Sequence, residues 1–539
     1  MRKEEILAVV LSRNYSTGLS VIRSLGTAGY TVDLVASAPH EGASEFISKS
    51  RFIRNYREVV ARKVKDEDDP DLVAALKEYE GVWPSKPVLI AADDYTAAVA
   101  DLHKDELSGI FLMPGIVGGE PGSLVRAMDK SVQGEIARRV GIKTPLEWVV
   151  SLREDDIVIP EEMVYPCYVK PLGSINGYKQ EMARADDRDQ LLTHLLKLQE
   201  SYRNRSVLVQ EFVNIETEYD LEGVAMDQEI VLPGMIWKEY VAQYDKGVPL
   251  YGNLYPLDRF GDFMEKVYTF LREFRYFGMF DLGFNIVDGE IWFNELNLRS
   301  GGTNYVYFES GCNLSEIFLK AALGEEISPE ETGVKEFGKK YLYEKVAWDD
   351  YFKKNITREE LDSMIENADI HIMVNDYDPE PGNIFNEEML QEEKHIKYVE
   401  LRNKCIENAM AGTGWDREFA REQIRDTRQR LGIGYKEYDR YSLWKYPPEE
   451  QEESYKKAVE KRERIKKQRE ECIAHAMDLT GWDRDTALNE INQARERLGV
   501  SYNEYRKNNF CLMTPEDQDM EYEKILQRKR EKELAKANQ

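Results

Sequence analysis

Short apolar runs alternate with helix-like stretches over the first 125 residues of the chain. Residues 6–11, 32–36 and 88–91 are apolar runs of the length expected for buried strands. Helix-like patterns separate them, and this β–α–β rhythm is typical of a parallel sheet. The pattern therefore predicts a Rossmann-like α/β domain over residues 1–125.

The segment after the first predicted strand, residues 12–18, is expected to form a polar turn. It reads Ser-Arg-Asn-Tyr-Ser-Thr-Gly and lacks the GxGxxG spacing that lays a dinucleotide on a helix N-terminus. We therefore expect a Rossmann-like domain that binds no nicotinamide dinucleotide. The apolar run at residues 6–11 is too short for a signal peptide, so we interpret it as a strand.

Strand-like runs outnumber helices over residues 126–340, which favours an antiparallel α+β domain of two lobes. Turns at Asp227 and at Asp288-Gly289 predict two hairpins. Residues 230–238 are expected to form one strand. The predicted strands cover residues 166–170, 207–212, 221–226, 230–238, 280–287 and 290–296.

An internal repeat follows a connecting segment at residues 341–404. Residues 405–471 and 472–539 share Thr-Gly-Trp-Asp-Arg and Arg-Leu-Gly at matching positions. Two copies with helical spacing of apolar residues predict an all-α tandem array. We interpret Trp415 and Trp482 as core anchors rather than ligand-binding residues. As a unit, the repeats are expected to dock a protein or carrier.

Composition narrows the classes of function. The net charge of −27 argues against a general nucleic-acid partner, because phosphate contacts need a basic surface. No apolar segment is long enough to insert into a membrane. The five cysteines form no CxxC pair, which favours reduced thiols and a cytoplasmic location. The six histidines include no HExxH, so a zinc enzyme is not expected.

Chemistry-bearing residues concentrate between positions 281 and 299. A hairpin turning at Asp288-Gly289 brings Asp281 close to Glu295 and Asn297. Glu295, Asn297 and Arg299 alternate, so they leave one face of the strand. Two carboxylates and an amide suit Mg²⁺ (or Mn²⁺), and the arginine suits a phosphate or carboxylate. The alternative is a hairpin with a polar, solvated face.

Two upstream motifs are weaker when taken alone. Lys170 ends a predicted strand before a loop with Gly173, Ser174 and Gly177, whose backbone could cradle phosphates. The apolar strand at residues 207–213 ends beside an acid, and Glu218 follows. A surface lysine and an ordinary strand are the alternatives.

The ordered set of these residues resembles the ATP-grasp superfamily over about residues 1–340. Asp281 departs from the pattern, since a glutamate is frequent there. The resemblance implies an ATP-dependent carboxylate–amine ligase that uses ATP and Mg²⁺ and passes through an acyl phosphate. It implies phosphate contacts by Lys130, Lys170 and the loop of Gly173, Ser174 and Gly177, and this loop is the expected lid. Adenine is expected to be bound by Gln210, Glu211, Phe212 and Val213, and the ribose by Glu218. The metal is expected to be bound by Asp281, Glu295 and Asn297, and the resemblance assigns catalysis to Arg299 and Lys170.

Residues 87–150 resemble D-aspartate ligase and its relatives. This resemblance implies an amino-acid donor such as D-aspartate and an amine on a peptidoglycan or other cell-envelope precursor. We expect Arg13 and Asp93, at strand ends, to bind substrate with Arg299; the alternative is that they are ordinary polar residues of loops. Tyr305 and Tyr307 are expected either to wall the acceptor channel or to pack.

Two alternative functions stay open: a dipeptide or small-metabolite ligase, and a non-catalytic nucleotide-binding scaffold. The sequence does not identify the donor, the acceptor, the pathway or the role of the repeats. A homodimer is among the expected assemblies.

Overall fold

A computed structural model describes residues 2–13, 15–60, 69–153, 157–172, 182–202, 205–241 and 248–537. The chain divides into two units, Met1–Glu393 and Lys394–Gln539. The first is mixed α/β and contains the sheets described below, whereas the second is helical. No helix in the described part of the chain is long and apolar enough to cross a membrane.

A parallel sheet occupies the start of the first unit, as the apolar runs predicted. Its strand order is β3-β2-β1-β4. The strands are β1 (Leu7–Ser12), β2 (Thr31–Ala38), β3 (Ile53–Val60) and β4 (Val88–Ala91). The helices of this region are α1 (Tyr15–Thr27), α2 (Glu45–Ser48), α3 (Pro70–Lys77), α4 (Asp94–Leu102), α5 (Lys104–Leu107) and α6 (Ser123–Ala127), with a short 3-10 helix at Lys3–Glu5.

The expected polar turn at residues 12–18 is shorter than predicted, because α1 already begins at Tyr15. Gly18 lies in the first turns of this helix, packed against the end of β1. A Cβ atom there would lie 2.6 Å from Ser12 Oγ, so glycine is what allows this close approach.

A smaller antiparallel sheet follows, with strand order β6-β9-β7-β8. Apolar side chains such as Val169, Leu195 and Val209 are fully or almost fully buried between this sheet and a helix. The elements are α7 (Lys130–Arg139), β6 (Glu147–Ser151), β7 (Cys167–Pro171), β8 (Ala183–Ala185), α8 (Arg188–Tyr202) and β9 (Ser206–Glu211).

The largest sheet has the strand order β15-β14-β10-β12-β13-β16-β17. Two further short strands belong to it: β5 pairs with β14, and β11 pairs with β10. Both predicted hairpins are confirmed, at Asp227 and at Asp288-Gly289. Its strands are β5 (Gly115–Ile116), β10 (Thr217–Met226), β11 (Glu229–Val231), β12 (Met235–Val241), β13 (Pro249–Tyr255), β14 (Tyr276–Val287), β15 (Glu290–Asn297), β16 (Lys340–Leu342) and β17 (Ile370–His371). Its helices are α9 (Phe263–Glu273), α10 (Asn304–Glu309), α11 (Leu314–Leu323), α12 (Glu344–Phe352) and α13 (Arg358–Asn367), with a 3-10 helix at Leu257–Phe260.

The single strand predicted over residues 230–238 was wrong. The chain instead forms β11 and then β12, which are separated by Leu232-Pro233-Gly234. Proline lacks the N–H that a sheet ladder needs, which explains the break.

Residues 341–393 are more than the connecting segment that the sequence predicted. Their strands β16 and β17 pair in the large sheet. The fully buried Arg23 of α1 donates from Nε to Asp378 Oδ2 at 3.0 Å. Its NH1 and NH2 groups donate to the carbonyl oxygens of Ile372, Met373 and Asp378. This buried network fastens the segment to the parallel-sheet domain. Its partners lie far apart in the chain, so local patterns could not predict it.

The second unit contains the two repeats. Matching helices begin at Arg417 and Arg484, 67 residues apart, and each ends at a left-handed glycine. Trp415 and Trp482 pack against separate apolar cores, as the core-anchor interpretation expects. Helix α14 (Pro379–Thr413) begins in the first unit and ends in the second. The other helices of the second unit are α15 (Arg417–Leu431), α16 (Tyr435–Arg440), α17 (Gln451–Thr480), α18 (Arg484–Leu498), α19 (Tyr502–Lys507) and α20 (Pro515–Ala537), with 3-10 helices at Leu443–Lys445 and Phe510–Leu512.

Candidate active site

The hairpin of β14 and β15 brings together the residues that the sequence singled out. Asp281 pairs directly with Asn297 across the two strands, and Gly283 pairs with Glu295. The turn residues Asp288 and Gly289 have φ values of 50° and 72°, as tight hairpins require. The expectation that Asp281, Glu295 and Asn297 converge is therefore met.

Asn297 lies between the two carboxylates. Its Nδ2 donates to Asp281 Oδ2 at 3.3 Å and to Glu295 Oε1 at 3.5 Å. Both carboxylates thus point at one small volume. Rotation of the amide would present three oxygens to that volume, the hard ligand set that Mg²⁺ prefers. The side chains therefore fit a divalent cation.

Arg299 is held in a fork between two acids. Its Nε donates to Asp94 Oδ1 and its NH1 to Asp281 Oδ2, both at 3.0 Å. Burial acts to lower the pKa of Arg299, but Asp94 and Asp281 outweigh it and raise the pKa. The guanidinium is therefore fixed in charge and position beside the carboxylate cluster.

Asp94 was missed by the sequence prediction, which chose its neighbour Asp93. Asp93 caps helix α4, since its side chain accepts hydrogen bonds from Thr96 N at 2.9 Å and Arg13 N at 2.5 Å. Arg13 stacks its guanidinium over Tyr95. Arg13 and Asp93 are not among the described residues that line the cavity, whereas Asp94 is. Two adjacent acids after a strand were the available signal, and the capping geometry decides between them.

Two lysines lie near this cluster. Lys130 Nζ is 3.3 Å from Glu295 Oε2, and Lys170 lies on β7. Burial and the charge of Lys130 lower the pKa of Lys170 to about 8. A bound anion would stabilise the charged form of Lys170 against this repulsion.

The predicted adenine-binding segment covers the end of β9 and the two residues after it. Glu211 N donates to Leu146 O at 2.8 Å and Phe212 N to Pro166 O at 3.0 Å, which fixes the backbone there. Gln210 Nε2 donates to Glu147 Oε2 at 3.2 Å. The loop with Gly173, Ser174 and Gly177, named above as phosphate contact and lid, lies outside the described residues.

Glu218, Asp220 and Glu222 alternate along β10. The lysine that contacts the first two is a second residue that the sequence prediction missed. Lys238 on β12 contacts Glu218 Oε2 at 3.0 Å and Asp220 Oδ1 at 2.9 Å. Its side chain is almost fully buried. Lys238 therefore balances part of the acidic charge on this side of the site. It lies twenty residues along the chain from Glu218, so spacing alone did not predict the pair.

Glu222, also on β10, fastens the loop that follows Arg299. Its carboxylate accepts from Gly301 N at 3.1 Å, Thr303 N at 2.8 Å and Thr303 Oγ1 at 2.5 Å. Burial is the main cause that raises its pKa. A Cβ atom on Gly301 would come within 2.2 Å of this carboxylate. The loop after Arg299 is therefore set by a buried acid that the sequence prediction overlooked.

Tyr305 and Tyr307 pack and do not wall a channel. Both are almost completely buried. Tyr307 Oη donates to Gly234 O at 3.1 Å and accepts from Glu222 N at 3.2 Å. Of the two expectations for these tyrosines, packing is the one that the structure shows.

These elements enclose one cavity of about 930 Å³. Its volume is within the range of small-molecule and cofactor sites. Asp281 is not among the described residues that line the cavity, but it contacts Asn297 and Arg299, which do. The predicted residues that line it are Lys130, Lys170, Gln210, Glu211, Phe212, Val213, Glu218, Glu295, Asn297 and Arg299.

Comparison with known proteins gives partial similarities. No family model matches the chain. It is 25% identical over 237 residues to the carbamoyl phosphate synthase large chain of Halomonas eurihalina, covering 41% of this chain and 22% of that one. It is also 23% identical over 223 residues to the C-terminal section of the carbamoyl phosphate synthase large chain of Aquifex aeolicus (strain VF5). This match covers 40% of this chain and 41% of that section. The match thus spans less than half of the length of either relative.

Solved structures with similar folds include an amino acid ligase and a synthetase. The L-amino acid ligase from Bacillus licheniformis aligns with a TM-score of 0.45 and 14% identity over 62% of this chain and 78% of its own. The N5-carboxyaminoimidazole synthetase from Staphylococcus aureus, complexed with ADP, aligns with a TM-score of 0.47 and 15% identity over 65% and 85%.

Proposed function

We propose that the protein is an ATP-grasp enzyme, an ATP-dependent ligase that activates a carboxylate as an acyl phosphate and joins it to an amine. The observation that carries the proposal is the convergence of Lys130, Lys170, Arg299 and a carboxylate–amide cluster on one cavity. Phosphoryl transfer needs this combination, because the protein's main task is to position the reactants and neutralise charge. The partial similarity to carbamoyl phosphate synthase large chains supports it.

ATP would lie along the cavity from β9 to the hairpin. The backbone of Glu211 and Val213 would bind adenine, with Gln210 and Phe212 beside it, and Glu218 would bind the ribose. Lys130 and Lys170 would bind the phosphates. Asp281, Glu295 and Asn297 would hold Mg²⁺ (or Mn²⁺), which when bound neutralises phosphate charge.

Two positively charged side chains of this protein, Arg299 and Lys170, take part in the reaction. Arg299 orients the donor carboxylate, whose oxygen attacks the γ-phosphorus while the bond to ADP breaks. Arg299 and Lys170 stabilise the charge on the transferred phosphoryl group. The amine next attacks the acyl carbon and loses a proton, the carbon–oxygen bond breaks, and phosphate leaves.

For the donor we propose an amino acid such as D-aspartate, and for the acceptor an amine on a cell-envelope precursor. The support is the likeness of residues 87–150 to D-aspartate ligases stated above. A dipeptide or small-metabolite ligase would use the same cavity with another donor. A nucleotide-binding scaffold would bind ATP and transfer nothing.

The test is ATP-dependent hydroxamate formation, with hydroxylamine in place of the amine. The donors are both enantiomers of aspartate, other amino acids and simple carboxylates. A hydroxamate with any donor, formed together with ADP, supports the ligase, and the preferred donor separates the envelope hypothesis from the small-metabolite one. Tight ATP binding with no donor-dependent turnover would instead support the scaffold.

A further inference from the structure

We propose that Asp94 binds the ammonium group of the carboxylate donor, so that the donor is an α-amino acid held as a zwitterion between Asp94 and Arg299. This inference rests on the proposed ligase function and adds to it the residue that would recognise the ammonium group of the donor.

The geometry places the two groups where a zwitterion would fit. Asp94 follows β4 of the parallel sheet, and its Oδ1 accepts from Arg299 Nε at 3.0 Å. Both side chains line the cavity, with 19% and 16% of their surface exposed. An α-amino acid carries its ammonium and carboxylate groups on the same carbon atom, so its two charges lie as close together as these two side chains. It could therefore pair with both residues at once.

The reaction would weaken this ion pair. Once Arg299 also binds the donor carboxylate and the transferred phosphoryl group, its positive charge is shared, and less of it stabilises Asp94. A largely buried carboxylate with a weakened partner is unfavourable. Burial already raises the pKa of Asp94, although the charge of Arg299 opposes the effect. An ammonium group on the donor would restore the missing positive charge.

The other acids of the cavity have partners elsewhere. Glu295 contacts Lys130, and Glu218 contacts Lys238. Glu239 accepts from Asn253, Glu211 accepts from Leu146 N at 3.2 Å, and Glu216 accepts from Gly289 N at 3.2 Å. Among the cavity-lining acids, Asp94 is thus the one that the structure joins to Arg299.

The experiment compares an α-amino acid with its desamino analogue in the hydroxamate assay. D-aspartate and succinate form one such pair, and L-alanine and propionate form another. The wild-type enzyme is expected to prefer the amino member of its best pair. Asp94→Asn should raise the KM for that donor about tenfold or more, the cost of one charged hydrogen bond. The KM values for ATP and for the desamino analogue should change less than about twofold.

Two further variants distinguish a loss of donor recognition from a loss of folding. Asp94→Glu keeps the charge and should recover part of the affinity for the amino donor. Asp105→Asn, an exposed position on α5 of the same domain, is the matched control and should behave as wild type.

Two outcomes would overturn the inference while leaving the ligase intact. One is a wild-type preference for donors without an ammonium group. The other is an equal loss of kcat by Asp94→Asn for both donors, which would mean that Asp94 only orients Arg299. Absence of any hydroxamate in the wild type would instead overturn the proposed function and this inference together.

Discussion

The proposed active site and the C-terminal repeats use charged residues in opposite ways. In the cavity, Arg299 and Lys238 are buried and each contacts two acids. In the repeats, ion pairs such as Arg484–Glu470 are exposed on both sides, at 56% and 43%. Exposed pairs contribute little to stability, whereas buried charges persist only with close partners. Buried charges that line a cavity therefore indicate a candidate ligand site, and exposed pairs indicate solvation.

This difference predicts which substitutions lower activity and which lower stability. Changes in the cavity should lower activity and leave the fold, and changes in the repeats should lower stability and leave activity. Docking of a partner by the repeats stays a prediction. Four substitutions test the division, from the largest expected effect to the smallest.

Glu295→Ala removes one of the two carboxylates proposed to hold Mg²⁺. ATP turnover should fall by about 10²–10³-fold or more, because charge on the transferred phosphate is no longer neutralised. Steady-state ADP release measures the loss, and circular dichroism checks the fold. Glu470→Ala in the repeats, the matched control, should keep full turnover. Near-normal activity of Glu295→Ala would remove the metal assignment.

Glu222→Gln should displace the loop that follows Arg299. The amide replaces an acceptor oxygen by a donor that faces backbone N–H groups of Gly301 or Thr303. We expect kcat to fall about 10–100-fold through misplacement of Arg299, with the KM for ATP nearly unchanged. Recovery by Glu222→Asp would support a positioning role. An equal rise of the KM for ATP would contradict it.

The pH dependence of ATP capture tests Lys170. Its pKa of about 8 means that the charged form predominates below that pH and is lost as the pH rises through it. The kcat/KM for ATP should therefore fall about tenfold per pH unit above pH 8. Lys170→Arg keeps its charge in this range and should flatten the profile. An unchanged alkaline decline in this variant would assign the profile to another group.

Asp416→Ala removes the cap of helix α15, where the side chain accepts from Phe419 N at 2.9 Å. Loss of such a cap costs about 1 kcal/mol. Chemical denaturation should show this decrease in the free energy of unfolding, and ligase turnover should not change. A large loss of turnover would show that the repeats act on catalysis.

The sequence was most informative where neighbours along the chain become neighbours in space. Alternation from Glu295 to Arg299 and the Asp288-Gly289 turn defined the hairpin and its chemical face. The 67-residue repeat defined the matching helices of the second unit. In both cases the periodicity of the backbone carries the information.

The sequence was least informative about pairing between distant residues. Glu222 meets Gly301 seventy-nine positions away, and Arg23 meets Asp378 across most of the first unit. The sequence prediction chose Asp93, but Asp93 caps α4 and Asp94 lines the cavity. Such roles depend on tertiary packing, which local patterns do not record.

The measurement that tests the central claim most directly follows an oxygen atom. The preferred donor, labelled with ¹⁸O in its carboxylate, is incubated with ATP, Mg²⁺ and an amine, and the released phosphate is analysed by mass spectrometry. An acyl-phosphate ligase must transfer one labelled oxygen to phosphate for each bond formed, and Glu295→Ala should abolish the transfer. Unlabelled phosphate released at the wild-type rate would mean that water, and not the carboxylate, attacks ATP.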